Sequence, residues 1–247
     1  MEQAEAIVLQ DAADRVDELA PSLGCESRLI LGRPDDVLLA ASKNADLLVL
    51  GCSGRSTSWL GRMLTNVPAH ASCPVVAVPE GATAPRGEVV VGIDGEGVCA
   101  EAVGYAFDQA ARWNVGLIAV MALAAGFDGY VPSEGLLEQL HQKGRRHLAE
   151  ALSGWCGSYP DVAVTQLVAL GDALPALTEA AKDARLLVIG THRRGALRAL
   201  ALGSVGSSLL RAAPCPIAIV GTHAPDKPTA RREHRAEQLI GTSQSGL

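Results

Sequence analysis

The sequence predicts an α/β protein built on an open, doubly wound parallel sheet. Short Val, Leu and Ile runs alternate with amphipathic helical stretches at the spacing of strand–helix units. Aromatic residues make up 3% of the 247 residues against 48% hydrophobic overall, so aliphatic side chains must fill the core, as buried parallel strands require. The alternating pattern also occurs twice, whole the second time and incomplete the first. A mean hydropathy of +0.19 with 19% charged residues describes a globular chain with ample core material. The composition argues against an antibody-like sandwich and against an RNA reader that stacks bases on aromatic rings. A net charge of −6 argues against a nucleic-acid backbone as a general partner.

The repeat is read from two segments. Ala45-Asp46-Leu47-Leu48-Val49-Leu50-Gly51 returns 139 positions on as Ala184-Arg185-Leu186-Leu187-Val188-Ile189-Gly190, and Gly32 and Gly171 keep that offset. Cys73-Pro74-Val75-Val76-Ala77-Val78 returns as Cys215-Pro216-Ile217-Ala218-Ile219-Val220 at an offset of 142, so the first repeat lacks three residues in between. The second repeat reads as a strand over 89–94 closed by Asp-Gly, a helix over 100–113 and a strand over 117–123. A polar helix over 133–152 follows, opened by a Ser N-cap just after Pro132. Then come a strand over 162–170, a helix over 173–182, a strand over 186–190, a helix over 204–212 and a strand over 215–220. The first repeat begins late. It offers a helix over 2–19, a strand over 27–31, a helix over 35–43, a strand over 47–51, a loop and helix, and a strand over 74–78. Its first two strands and the helix between them have no counterpart. The expected domains are a partial one over 1–79, a linker over 80–87, a complete one over 88–221 and a flexible polar tail over 222–247.

Ligands of open parallel sheets sit at the carboxyl ends of strands, where strand order reverses. The candidates are therefore Asp94-Gly95, the region after Val120 and the loop after Gly190. Asp94 suits a turn or helix cap; equally, its carboxylate suits an exocyclic amine or a sugar hydroxyl. The loop after Gly190 runs Thr191-His192-Arg193-Arg194-Gly195 and reaches Gly203-Ser204 at a helix start, where exposed N–H groups and a hydroxyl suit an anion. The corresponding loop of the first repeat is Gly51-Cys52-Ser53-Gly54-Arg55-Ser56.

These loops, with the Leu-Leu-Val-[Leu/Ile]-Gly strand before them and the Cys-Pro strand after, resemble the universal stress protein family. That family's nucleotide loop is written Gly-x2-Gly-x9-Gly-[Ser/Thr]. The resemblance implies a Rossmann-like sheet of the adenine nucleotide α hydrolase kind, in strand order 3-2-1-4-5, with one complete and one partial copy here. It also implies a bound adenine nucleotide, ATP or AMP, with magnesium where a triphosphate is held. Carried over, Asp94 contacts adenine, Val120 lines the base pocket, and Gly190, Gly203 and Ser204 contact ribose or phosphate. Arg193 stands where the family's second loop glycine belongs, which removes conformational freedom there; Arg193 or Arg194 then supplies phosphate charge or faces solvent. His192 either contacts phosphate or is an ordinary loop histidine. In the first repeat the Gly-[Ser/Thr] step falls on Leu64-Thr65 or on Gly61-Arg62, depending on the direction of counting.

In the 3-2-1-4-5 order, loss of strands 1 and 2 leaves strand 27–31 orphaned, its backbone groups unpaired. The sequence reading therefore expects ~50–60 further residues ahead of Met1, from typical βαβ sizes. No phosphate-binding Walker lysine, no Gly-x-Ser-x-Gly elbow and no local Ser/His/Asp signature appears, so binding is expected rather than catalysis, a slow ATPase being the enzymatic alternative. His141 and His147 are expected on a solvated helix face. The six cysteines show no zinc spacing, and Cys73 and Cys215 read as small core hydrophobes. No signal peptide or membrane span is seen, so a cytoplasmic protein is expected, with neither nucleic acid nor membrane as partner. Self-association is expected through the Cys-Pro strands, opened by Pro74 and Pro216 and closed by Val78 and Val220, which pair two copies edge to edge. A rival reading keeps that pairing and gives up the nucleotide: an interaction module with degraded sites.

Overall fold

The computed structural model describes residues 2–52, 58–81, 87–94, 100–123, 133–191, 204–212 and 214–221. Seven strands form a single sheet. They are β1 (Leu48–Cys52), β2 (Val75–Pro79), β3 (Val89–Gly92), β4 (Leu117–Leu123), β5 (Val164–Leu170), β6 (Leu186–Gly190) and β7 (Ile217–Val220). The helices are α1 (Glu2–Leu19), α2 (Pro34–Ser42), α3 (Ser58–His70), α4 (Ala100–Trp113), α5 (Glu134–Ser158), α6 (Ala173–Ala180) and α7 (Ser204–Ala212). The sheet order is β1-β2-β7-β6-β3-β4-β5, so the second repeat alone reads 3-2-1-4-5, as expected.

Alternation along the strands sorts the core into two layers. Val89, Val91, Leu117, Ala119, Met121, Leu186 and Val188 face α4 and α5. Val90, Val120, Leu187, Ile189, Ile217 and Ile219 face α6 and α7. α4 joins the first layer because Ala102, Val103, Ala106, Phe107 and Ala110 recur at helical spacing and are all buried. It ends at Asn114, whose φ of 51° takes the left-handed turn while Val115 N–H donates to the Ala110 carbonyl. α5 opens as expected: the Ser133 hydroxyl accepts from the Leu136 N–H at 3.4 Å. It runs to Ser158 rather than stopping near 152, because Trp155 and Tyr159 continue the apolar stripe and stack with Phe107 at ring-centre distances of 6.3 and 5.5 Å.

The two repeats join through the strands expected to pair copies, but inside one chain. β2 and β7 run antiparallel with Val75 opposite Ile219, Val76 opposite Ala218 and Ala77 opposite Ile217. Ala218 is the repeat partner of Val76, so a local two-fold axis passes through that pair. Both strands thereby become internal, and neither offers a free edge to a second chain. Leu210 of α7 packs against the apolar clusters of both repeats on one face, and α4 reaches across to Val76 on the other. In the first repeat Leu50, Met63, Leu64, Val67 and Val75 make a small core. Asn66 of α3 donates to the buried Asp35 carboxylate at 3.3 Å, and the Ser72 N–H donates to the buried Ser42 hydroxyl at 3.1 Å, tying α2 to its neighbours.

Two expectations are corrected. Residues 27–31 form no strand, since the neighbour that would hydrogen-bond to them is the missing second strand of that repeat. His147 is half-buried rather than solvated: its Nδ1 is shielded from water, and it lines a cleft of about 350 Å³ with Gln142, Lys143, Arg146 and Glu150. The polar tail 222–247 and most of the linker lie outside the described residues.

Candidate functional site

β3 stands at the centre of the second repeat, paired in parallel with β4 on one side and β6 on the other. The chain leaves β3 through α4 toward β4 on one face, and returns through α6 to β6 on the opposite face. Strand order reverses at β3, the position beyond whose strand ends open parallel sheets place a ligand crevice. The site is built there.

Ile93 continues β3 by one residue, its N–H donating to the Val120 carbonyl at 2.8 Å while its side chain is buried among the α4 residues. Asp94 comes next and alternation carries it to the opposite side, that of Gly92; it is half-buried. Three positions past the paired residues Val91 and Val188 stand Asp94 and Thr191, one on each lip of the crevice. Gly190 closes β6 opposite Val220, and Thr191 N–H donates to the Val220 carbonyl at 2.9 Å. This bond holds the first residue of the loop against β7. α7 starts at Ser204, which is exposed and, because β7 runs parallel to β6, lies at the same end of the sheet as Gly190. As in any helix, the first turn of α7 carries partial positive charge, here at that end of the sheet.

Val120 is 1% exposed and packs with Leu177, Leu187 and Ile189, so it forms the floor beneath the crevice rather than an open wall. Gly92 lies opposite it in register. A Cβ at Gly92 would stand 3.2 Å from Leu177 Cδ2 and 3.6 Å from Ile189 Cγ2, so the missing side chain lets α6 settle close over β3. Leu177 and Thr191 were not singled out from the sequence. A glycine within Val-Val-Val-Gly-Ile was the available signal for a close approach, but which helix approaches is set by topology.

Of the residues expected to bind, Asp94 and Gly190 stand at the carboxyl ends of β3 and β6 and Ser204 at the start of the following helix, while Val120 lies mid-strand in β4, level with the end of β3. His192, Arg193, Arg194 and Gly203 lie outside the described residues. In the first repeat both candidate Gly-[Ser/Thr] positions, Leu64-Thr65 and Gly61-Arg62, fall inside α3 instead of at its start. That helix begins at Ser58, with five residues between it and β1, whereas thirteen residues separate β6 from α7, a larger difference than the three-residue loss.

A mostly parallel, Rossmann-like sheet with helices on both faces and a strand-order reversal at β3 defines the class of α/β protein. Comparison with known proteins fixes the family. The model of the universal stress protein family matches residues 1–79 and 86–221. A universal stress protein of Mycobacterium tuberculosis is 34% identical over 227 residues, covering 87% of this chain and 74% of that protein. One from Mycolicibacterium smegmatis is 38% identical over 193 residues, 74% of this chain and 64% of its own. Among solved structures, a universal stress protein of Archaeoglobus fulgidus superposes with a TM-score of 0.60 at 17% identity, over 89% of this chain and 76% of that one. This chain belongs to the universal stress protein family.

Proposed function

We propose that the second repeat, as a domain over 88–221, binds an adenine nucleotide in the crevice between β3 and β6 and acts by occupancy rather than by catalysis. One observation supports the reading above all: in the parallel β3–β6 register Asp94 and Thr191 each follow three positions after the paired Val91 and Val188, and α7 starts at the same end of the sheet. A carboxylate accepts from the exocyclic amine of adenine or from a ribose hydroxyl. N–H groups and a hydroxyl at a helix start donate to phosphate oxygens. The aliphatic floor of Val120, Leu177 and Ile189 suits the faces of a base. His192, Arg193, Arg194 and Gly203 follow Thr191 in the chain, and their residue types suit phosphate. ATP and AMP are the ligands proposed, magnesium accompanying the triphosphate. A cytoplasmic role in stress response or signalling follows from such a ligand.

Calorimetric titration tests this. A hydrogen bond to a charged group contributes ~1.5–3 kcal/mol, so Asp94→Ala is expected to weaken ATP binding by roughly 10- to 100-fold. Unchanged affinity in that variant would remove Asp94 from the site. No binding of ATP or AMP up to millimolar concentration would overturn the reading and leave an interaction module. Phosphate release that Ser204→Ala abolishes would show the site to be an ATPase instead.

A further inference from the structure

Gly92 is the last residue of β3, and the side chain it lacks would point toward α6, on the face that Val90 shares. In register it stands beside Val120 of β4. On its other side, one position past the Val91–Val188 pair, stands Ile189 of β6. Three adjacent strands thus present Val, a gap and Ile in one row. The gap is filled from the helix layer. Leu177 of α6 seats its Cδ2 and Cδ1 at 3.2 and 3.4 Å from where a Gly92 Cβ would stand, and Ile189 Cγ2 lies 3.6 Å from the same point. Val120, Leu177 and Ile189 are 1%, 6% and 7% exposed, so the filling is close.

The height of this row in the sheet gives it meaning. Ile93 still follows the strand, and Asp94 comes next on the face of Gly92, ~7 Å further along by the rise of two strand residues. α6 starts at Ala173, just past the carboxyl end of β5, so Leu177 enters one turn below that end of the sheet. The layer one step below Asp94 is therefore occupied by a leucine of α6 instead of a side chain of β3. Shortening that leucine would leave a pit that β3 cannot fill.

We propose that Leu177 is a specificity-determining residue of the nucleotide site, setting the depth of the base pocket so that a purine with a free 6-amino group enters and one alkylated on that nitrogen does not. The inference rests on the reading above, in which Asp94 accepts one N–H of the exocyclic amine. The second substituent of that nitrogen then has Leu177 and Ile189 as its floor. A hydrogen fits there, and a methyl group needs the space that Leu177 takes. The exclusion works by size, because a monoalkylated amine keeps one N–H for Asp94.

Calorimetric titration with AMP and with AMP methylated on its 6-amino nitrogen tests this in the wild type, Leu177→Ala and Leu177→Met. One methyl group too many in an apolar pocket costs about tenfold or more in affinity, so the wild type is expected to favour AMP by at least that ratio. Leu177→Ala is expected to bring the two affinities within about threefold of each other, and Leu177→Met, which keeps the volume, to retain the wild-type preference. Both ligands meet the same sample, so a smaller folded fraction in Leu177→Ala lowers both affinities alike and leaves their ratio unchanged. Equal binding of the two ligands by the wild type would overturn the proposal, as would a wild-type ratio in Leu177→Ala; either result leaves the nucleotide site standing. A wild type that binds neither ligand would overturn the nucleotide reading itself, and this inference with it.

Discussion

Tyr105 and Tyr159 carry the clearest electrostatic signature in the second repeat. Burial pushes the Tyr105 phenol up to about 12 from its ordinary 10.0. Tyr159 is raised further, first by burial and then because its hydroxyl donates to the Asp108 carboxylate at 2.7 Å, whose charge opposes a phenolate. The folded chain keeps these protons at pH values where the unfolded chain has released them. Stability is therefore full below the unfolded value near 10 and falls as pH climbs through the folded values. The buried Cys215 thiol, raised from 9.0 to about 11, adds a loss that begins at about pH 8.5. Urea unfolding is therefore expected to give a midpoint that falls gently above about pH 8.5 and more steeply above about pH 9.5, the steeper part being flattened in Tyr105→Phe combined with Tyr159→Phe. An equal slope in that double variant would place the alkaline sensitivity elsewhere. At this scale the sequence was informative about where a residue stands in the chain's elements. Gly190 was legible as the end of β6 and Ser204 as the start of α7, whereas β3 stops at Gly92, two residues before Asp94. Leu177 was not legible, because its place over Gly92 depends on α6 crossing to the face opposite α4.

Among the elements, α4 is the one on which the second repeat most depends. Phe107 is fully buried and stacks with Trp155 and Tyr159, so a single helix residue joins α4, α5 and the sheet. Phe107→Ala is expected to cost ~3–5 kcal/mol, from lost burial and the cavity left behind. Chemical denaturation checks this, and a loss below about 1 kcal/mol would mean that the α4–α5 seam repacks. The same seam explains why α5 was read too short. Gly154 and Gly157 look like a helix end in the sequence, yet Trp155 and Tyr159 fall on the stripe begun by Leu148 and Leu152, and packing against Phe107 keeps the helix going. Residues 27–31 failed for the opposite reason. Their apolar run has strand character, but strand geometry needs a hydrogen-bonding neighbour, and the unit that would supply one is missing from the first repeat. Local pattern thus sufficed wherever the partner was present in the chain.

At the scale of the whole molecule, the repeat produces one sheet rather than two. The antiparallel β2–β7 pair brings twin residues together about a local two-fold axis, so five buried residues of that pair, Val75, Ala77, Ile217, Ala218 and Ile219, attach the first repeat to the second. The sequence identified these strands as edge-pairing elements; that they pair within the chain followed only from the assembled topology. No helix among the described residues is long and apolar enough to cross a membrane. Among the described residues, the strand-order reversal lies at β3 in the second repeat, and β1 forms the far edge of the sheet. The central claim is that the crevice holds an adenine nucleotide, and amide NMR during a titration with AMP tests it most directly. The account predicts that the largest shifts fall on Ile93, Asp94, Gly190, Thr191 and Ser204, while Leu48–Cys52 and Val164–Leu170 stay unmoved. Shifts centred on the first repeat, or none up to millimolar AMP, would contradict it.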